Sequence, residues 1–273
     1  MSLAPAPASV LPARRERRRG FARLWPPLLV LVALLAAWEI ATRLFAVSPE
    51  ILPGPRLVAS ASWADRANLG SAMWTTTREA LLGILLATIC AVLLAVAIDW
   101  SRTVRRSLYP VLLASQTLPI IVLAPLVVIW FGFGTGPKVA LVALFTFFPI
   151  VVGAVQGLAA ADPEAMALLR TMGATRRQLL LRVRVPGALG HFFTGLKVAV
   201  TYAYVSAIFA EYVGAQQGLG VYMQSAKNAL RTELVFGAIV ATALLTALLF
   251  GGVALLERVA MPWRRPAAAD VVW

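Results

Sequence analysis

The sequence contains little of what soluble enzymes and metalloproteins usually need. Only 14% of its 273 residues are charged, whereas an ordinary soluble domain has roughly 25%. A single cysteine, Cys90, and a single histidine, His191, exclude a disulfide framework and a histidine-rich metal site. The chain also lacks the Gly-x-x-x-x-Gly-Lys-Ser/Thr loop that cradles nucleotide phosphates. We therefore expect no catalytic residue, no metal and no cofactor, and any energy from ATP must come from another protein.

Apolar side chains, by contrast, dominate the chain. Hydrophobic residues make up 60% of it, and the mean hydropathy is +0.81. Such an average excludes a water-soluble globule, and it excludes intrinsic disorder, which requires low hydrophobicity. In a soluble protein the net charge of +13 would suggest nucleic acid binding, but its distribution along this chain is typical of membrane orientation. The sequence thus predicts a membrane protein with no nucleic acid partner.

Six apolar stretches are long enough to cross a lipid bilayer. They occupy residues 24–42, 80–98, 107–137, 139–161, 185–210 and 234–256. A membrane-crossing helix needs about 20 mainly apolar residues, and backbone groups in lipid must be bonded within the segment. The long third stretch fits one tilted helix with an overhang, and a break at Pro119 or Pro125 is the alternative. The predicted fold class is an all-α polytopic membrane protein with about six transmembrane helices.

Lysine and arginine are distributed unevenly between the two sides that six crossings define. With a cytoplasmic N-terminus, the inner segments carry seventeen of these residues and the outer segments carry seven. Because cytoplasmic segments are enriched in Lys and Arg, we expect both termini on the cytoplasmic side of a bacterial inner membrane. Residues 1–22 are predicted to be a basic tail, 23–262 the transmembrane domain and 263–273 a second tail. The first stretch is expected to remain as an anchor rather than to be cleaved as a signal peptide.

The longest predicted cytoplasmic loop, residues 161–190, has strong helix signals. Asp162 is a good N-cap, and Gly173 can take the positive φ that ends a helix. Thr175 and Gln178 have the spacing of a capping box for a second helix. The sequence therefore predicts a helix to about residue 172, a glycine turn and another helix.

Two interpretations of this loop follow from the residues alone. It is either a solvated connector, whose arginines only determine topology, or a surface that binds a partner. Pro186 is expected to disfavour helix at Val185 and to bend the chain into the fifth span. The partner interpretation is favoured by apolar side chains that water would otherwise surround: Met166, Leu168, Leu169 and Met172.

The same loop resembles the EAA loop of binding-protein-dependent ABC importer permeases. The residues concerned are ALLRTMG at 167–173 and VRVP at 183–186, with the Gly-to-Pro spacing of that pattern. The EAA triplet is Ala-Leu-Leu here, so the acidic residue is missing, and Glu164 lies one turn earlier. Further similarity to the nitrate/sulfonate/taurine-type permeases lies in the segments ILPGP at 51–55, LPI at 118–120, WFG at 130–132, GA at 214–215 and GLG at 218–220.

The resemblance implies a mechanism and a set of partners. In such importers two permease subunits, here most simply two copies of this chain, pair in the membrane. A cytoplasmic ATPase dimer binds the coupling loop, and an extracytoplasmic solute-binding protein delivers the solute. The resemblance assigns ATPase coupling to Glu164, Ala167, Leu168, Leu169, Gly173, Ala174, Val183 and Pro186.

Polar side chains at membrane depth are candidates for the translocation pathway, because such residues normally face a bundle interior or a water-filled path. Thr201, Tyr204 and Glu211 are spaced for one helical face. Glu39 and Gln116 are the further candidates. Helix-packing hydrogen bonds are the alternative role for Thr201 and Tyr204.

The solute is only narrowly constrained. Glu39 and Glu211, against one Lys197, do not form an anion filter. Residues 195–202, followed by Glu211, resemble permeases for pyrimidine-type thiamine precursors and riboflavin, and four of the five tyrosines lie between residues 202 and 222. A small heterocyclic vitamin precursor is therefore expected, with nitrate, sulfonate or taurine as the alternative. A proton-coupled secondary transporter, with acidic side chains as proton carriers, is the alternative class.

Overall fold

The protein is described here by a computed structural model that covers residues 25–100, 102–115 and 120–263. The regular structure of these residues is helical. In chain order the α-helices are α1 Trp25–Leu44, α2 Pro55–Ala64, α3 Arg66–Trp100, α4 Arg102–Ser115, α5 Ile120–Phe131, α6 Thr135–Ala159, α7 Pro163–Thr171, α8 Arg176–Leu179, α9 Val185–Gly214, α10 Leu219–Asn228 and α11 Thr232–Ala260. A π-helical turn, Leu180–Arg184, joins α8 to α9. The predicted tail at 1–22 lies outside the described residues, as does the predicted tail at 263–273 except for its first residue.

Five helical segments in the described residues are long and apolar enough to cross a membrane. They are Trp25–Leu44, Arg66–Trp100, Thr135–Ala159, Arg176–Gly214 and Thr232–Ala260. At a rise of 1.5 Å per residue, α3 is about 52 Å long, well beyond a hydrocarbon core of roughly 30 Å. The uncharged stretch at 80–98 is thus only part of α3, which begins at Arg66. The prediction of an all-α polytopic membrane protein is confirmed.

The long helices alternate in direction between two ends of the bundle. At one end, which we call the loop end, Asp99 of α3 forms an ion pair with Arg184 of the π-helical turn. At the other, which we call the opposite end, Tyr222 of α10 donates a 2.7 Å hydrogen bond to Asp65. Burial and the adjacent Asp65 carboxylate raise the pKa of Tyr222, so the phenol keeps the proton that it donates.

The third apolar stretch, at 107–137, contains most of α4 and all of α5. Helix is described up to Ser115 and again from Ile120, and α5 runs through Pro125 without a break. α4 starts at the loop end, after α3. α5 finishes at the opposite end, where a Cβ on Gly214 would meet Val128 and Phe133. Between the two helices, residues 116–119 lie outside the described residues, so a break at Pro119 stays the alternative to one long helix.

The core of the bundle is the contact between α6 and α9. Three glycines make it possible, because a Cβ on any of them would meet the backbone of the other helix. A Cβ on Gly153 would lie 2.6 Å from the carbonyl oxygen of His191, and one on Gly157 would lie 2.7 Å from the carbonyl oxygen of Ala188. A Cβ on Gly195 would lie 2.3 Å from the carbonyl oxygen of Pro149. In lipid no hydrophobic force joins helices, so close backbone packing through small residues has to hold them together. α3 completes the core with a row of buried alanines: Ala80, Ala87, Ala91 and Ala95.

Candidate functional site

The first helix of the loop has the predicted boundaries. Asp162 caps α7 by accepting a 2.9 Å hydrogen bond from the Glu164 backbone N–H. At the other end Gly173 has φ +78°. Its N–H donates to the Arg170 carbonyl at 3.0 Å, and the Ala174 N–H donates to the Leu169 carbonyl at 2.9 Å. This pair of bonds is a Schellman motif, which uses the conformational freedom of glycine to stop the helix.

The second half of the loop also starts as expected. Thr175 and Gln178 form a complete capping box at the start of α8. The expectation that Pro186 disfavours helix at Val185 is wrong, since Val185 is helical with φ −62° and ψ −50°. In an α-helix the ring of Pro186 would clash with the carbonyl of Arg182, four residues earlier. The π-helical turn directly before α9 widens the helix there, with the Val185 N–H bonded to the Leu180 carbonyl, and the chain stays helical into α9.

The apolar residues of α7 divide between two faces. Met166 is 7% exposed and packs inward, whereas Leu168 is 62% and Met172 74% exposed. Glu164, Leu168 and Met172 lie four residues apart and form one exposed strip, which we call the α7 stripe. Ala167 and Gly173 are exposed beside it, and the other assigned coupling residues are half-buried: Leu169, Ala174, Val183 and Pro186.

An ion pair fastens the loop to the membrane helices. Asp99 lies at the loop end of α3, far in sequence from Arg184, and the two side chains are in contact. The sequence interpretation did not select Asp99. Its only signal was its position as an isolated acid at the end of an apolar stretch that precedes three arginines. The pair links the loop directly to the end of α3.

The predicted pathway residues of the fifth span are separated by the structure. Thr201 is exposed, whereas only 1% of the surface of Tyr204 is exposed. The Tyr204 hydroxyl lies 3.4 Å from the Thr77 hydroxyl. The exposed side of α9 is a second strip, the α9 stripe, of polar and apolar side chains: His191, Thr194, Val198, Thr201, Tyr202 and Val205. At 100° per residue Thr201 lies at the border between this stripe and the buried face of Tyr204. Tyr202, which was noted among the tyrosines but not assigned to the pathway, is 51% exposed on the stripe.

Glu211 is buried inside the protein at the opposite end. Its carboxylate accepts 2.7 Å hydrogen bonds from the Thr76 hydroxyl and from the Gly220 N–H. Thr76 in turn accepts a 2.8 Å bond from the Leu219 N–H. These bonds connect α3, α9 and the start of α10, so Glu211 holds the glycine segment at 218–220 in its position. Its role in the translocation pathway stays a prediction.

A buried ion pair lies close to this carboxylate. Glu79 of α3 and Lys138 of α6 are in contact, and their side chains are 1% and 9% exposed. Both are near enough to interact electrostatically with Glu211. In the sequence Glu79 directly precedes the apolar stretch at 80–98, and Lys138 separates the stretches at 107–137 and 139–161. Their pairing depends on the packing of α3 against α6, which no local pattern reveals.

Glu39, another pathway candidate, is not deep in the bundle. Glu39 lies in the last turns of α1. Its carboxylate accepts a 2.9 Å hydrogen bond from the Arg43 side chain and a 3.2 Å hydrogen bond from the Arg56 backbone N–H at the start of α2. It therefore caps a neighbouring helix. Gln116 lies outside the described residues.

Comparison with known proteins gives consistent similarities. The family described as "Binding-protein-dependent transport system inner membrane component" matches residues 80–260. The formylaminopyrimidine transport permease protein ThiX of Halalkalibacterium halodurans is 36% identical over 91% of this chain and 99% of its own length. The riboflavin transport system permease protein RibX of Chloroflexus aurantiacus is 35% identical over 88% and 91%. The taurine transport system permease protein TauC of Escherichia coli is 32% identical over 85% and 87%.

Solved structures share the fold at low identity. An inward-facing structure of the MetNI methionine ABC transporter has a TM-score of 0.63 at 16% identity and covers 72% of this chain and 98% of its own. An amino acid ABC transporter with histidines has a TM-score of 0.60 at 16% identity, with coverage of 72% and 96%.

Proposed function

The chain belongs to the family of binding-protein-dependent transport system inner membrane components, and from this premise we propose that it is the permease through which a separate ATPase drives solute import. Membership makes it a multi-pass permease of a small-molecule importer in the inner membrane. The observation that carries the coupling proposal is the α7 stripe, because Leu168 and Met172 remain exposed on a well-capped helix outside the membrane spans. An exposed apolar surface on a rigid element is typical of a protein-binding site.

ATP hydrolysis is assigned to the partner. The sequence has no phosphate-binding loop. The expected coupling residues Glu164, Ala167, Leu168 and Gly173 lie on the exposed side of the loop, where an ATPase subunit can contact them. The Asp99–Arg184 ion pair and the continuous helix through the π-helical turn into α9 supply a stiff connection from that contact to the membrane helices.

Gly173→Val tests this coupling with little effect elsewhere. A Cβ at residue 173 meets no atom within 4 Å, so the only cost is the left-handed backbone at φ +78°. For a branched side chain this conformation costs about 1–2 kcal/mol. We expect binding of the cognate ATPase to the full-length permease to weaken about tenfold, measured by titration of the detergent-solubilised proteins.

Gly187→Val is the matched control. Gly187 is an exposed glycine in the first turn of α9, also with nothing within 4 Å of an added Cβ, but without positive φ. The Gly187→Val protein should bind the ATPase as tightly as the unchanged protein does. Equal binding by both variants would contradict a role for the Gly173 turn in coupling.

The loop end is assigned to the cytoplasm. The arginine-rich segments at 102–106 and 170–184 lie there, and the preference of cytoplasmic segments for Lys and Arg supports both termini on that side. The opposite end, with α2 and α10, then faces the solute-binding protein.

A second copy of the chain is the proposed membrane partner. The α9 stripe carries His191, Thr194, Thr201 and Tyr202 on the exposed side of one protomer. Polar side chains at membrane depth normally face protein or water rather than lipid. Two copies that meet across their α9 stripes shield these groups and leave a path between them, which retains Thr201 as a pathway residue and adds Tyr202. The remaining apolar surface, above all that of α1, contacts membrane lipid.

The proposed solute is a small heterocycle of the pyrimidine or riboflavin type. ThiX and RibX are named for such solutes. Tyr202 supplies an exposed ring on the α9 stripe, and the aromatic faces of tyrosine and a heterocycle stack favourably. Taurine is the competing solute, since TauC is also a relative.

Tyr202→Leu tests the solute and the stripe together. Loss of one stacking contact of about 1 kcal/mol raises the KM for formylaminopyrimidine or riboflavin about fivefold in proteoliposomes that hold the complete importer. Tyr202→Phe keeps the ring and should transport normally. Uptake of taurine with no uptake of either heterocycle would contradict the proposed solute, although not the coupling.

A further inference from the structure

The loop end contains a cavity of about 470 Å³ that the transport mechanism does not use. Asp99 and Trp100, at the end of α3, form one wall. Met166 and Arg170 of α7, with Arg176 and Arg184, form the other. Met166 and Arg170 point away from the α7 stripe, so the cavity lies behind the proposed ATPase-binding surface, between α7 and the membrane helices.

The cavity has an excess of positive charge. Three guanidinium groups line it against one carboxylate, and that carboxylate, Asp99, is already paired with Arg184. Within the described residues Arg170 and Arg176 have no ion pair. The Nε atom of Arg184 is buried and has no hydrogen-bond partner there. Buried donors of this kind are rarely left unsatisfied, so the cavity is set up to receive an anion.

The chemistry of the lining selects a phosphate group. Guanidinium groups bind phosphate oxygens with two parallel hydrogen bonds. Trp100 is 63% exposed at the mouth of the cavity, and exposed tryptophans at span ends lie at the level of lipid headgroups. Basic pockets between membrane helices on the cytoplasmic side bind the headgroups of anionic lipids.

We propose that the cavity between Trp100, Arg170, Arg176 and Arg184 binds a phosphate group, supplied by the headgroup of an anionic phospholipid. The bound phosphate bridges α7 to the π-helical turn, beside the Asp99–Arg184 ion pair. It thereby stabilises the loop against the end of α3 independently of the solute and of the ATPase.

The test uses the full-length protein in nanodiscs of phosphatidylcholine and phosphatidylglycerol in equal amounts. Native mass spectrometry counts the phosphatidylglycerol that each variant retains, and calorimetric titration with inorganic phosphate forms the second arm. R170Q/R176Q removes two lining cations and should weaken phosphatidylglycerol binding about thirtyfold. R177Q/R182Q removes the same charge from exposed arginines of the same loop that do not line the cavity, and it should change binding less than twofold. Thermal unfolding checks that both variants are folded.

The outcomes separate the possible ligands. Loss of lipid from R170Q/R176Q alone supports the proposal with a lipid source. Binding of inorganic phosphate with the same dependence on the variants, but no retained lipid, supports a phosphate site that free phosphate fills. Equal losses in both double variants overturn the site in favour of general surface charge. If R170Q/R176Q loses only the ATPase and keeps both lipid and phosphate binding, the cavity accepts a carboxylate of the partner and the proposal fails.

Discussion

Gly195→Val is expected to prevent folding of the protein. A Cβ at residue 195 would lie 2.3 Å from the Pro149 carbonyl oxygen and 3.1 Å from the Pro149 carbonyl carbon. These are backbone atoms of α6, so no rotamer change relieves the clash, and α9 and α6 have to separate. That separation would also undo the close packing at Gly153 and Gly157, which is the main contact of the bundle. The cost exceeds about 3 kcal/mol, beyond the usual range for overpacking.

Fluorescence-detected size-exclusion chromatography of the full-length protein fused to a fluorescent reporter measures the folded fraction. The matched control is Gly252→Val in α11, a membrane-helix glycine where an added Cβ meets nothing within 4 Å. It should give a normal monodisperse peak. A normal peak for Gly195→Val as well would mean that the α6–α9 contact is wider than described here.

Glu211→Leu is expected to lower uptake by at least tenfold while the ATPase still binds. The substitution leaves the Gly220 N–H without its acceptor, and the Thr76 hydroxyl keeps only its bond to the Ala72 carbonyl, at 3.1 Å. Each buried polar group that loses its partner costs about 1–3 kcal/mol, so the segment at 218–220 is released from α3 and α9. ATPase binding is unaffected, because the loop lies at the other end of the bundle. Uptake in proteoliposomes and co-purification of the ATPase provide the two readouts.

Glu211→Gln tests whether Glu211 acts through its hydrogen bonds or through its negative charge. The amide can accept from the Gly220 N–H and donate to Thr76, whose own hydroxyl then donates to the Ala72 carbonyl, at 3.1 Å. We therefore expect nearly normal uptake. If Glu211→Gln loses uptake as fully as Glu211→Leu and remains folded, the charge itself takes part in transport. A proton- or cation-linked step would then be required, as in the alternative class of a proton-coupled transporter.

The loop illustrates how far local sequence information reaches. Asp162, Gly173 and the Thr175–Gln178 pair were read correctly because each acts on backbone groups within a few residues. The predicted effect of Pro186 on Val185 was wrong. The rule that a residue before proline avoids the helical conformation does not include a π-helical turn that makes room for the proline ring. The division of α7 into a buried face at Met166 and an exposed face at Leu168 depends on how the loop packs in the folded chain.

For the polar residues of the membrane region, local sequence information was not sufficient. The spacing of Thr201, Tyr204 and Glu211 predicted that they lie within one arc of a helix, and in α9 they do. Which part of the arc is buried depends on the neighbours, and the contact with α3 buries Tyr204 and Glu211 while Thr201 stays exposed. Lys138 and Glu79 are nearly 60 residues apart, so their pairing had no local signal.

By itself the chain of residues determined the class of molecule, because the length of apolar runs, the side on which arginines collect and the caps of α7 and α8 are all local or additive properties. The tertiary structure decided which polar groups are shared between helices: Glu211 with Thr76, Glu79 with Lys138, Asp99 with Arg184. It also decided that glycines 153, 157 and 195 bring α6 and α9 together. The physical reason is that in a membrane the burial of a side chain depends on which helices touch, and apolar residues face lipid as readily as protein.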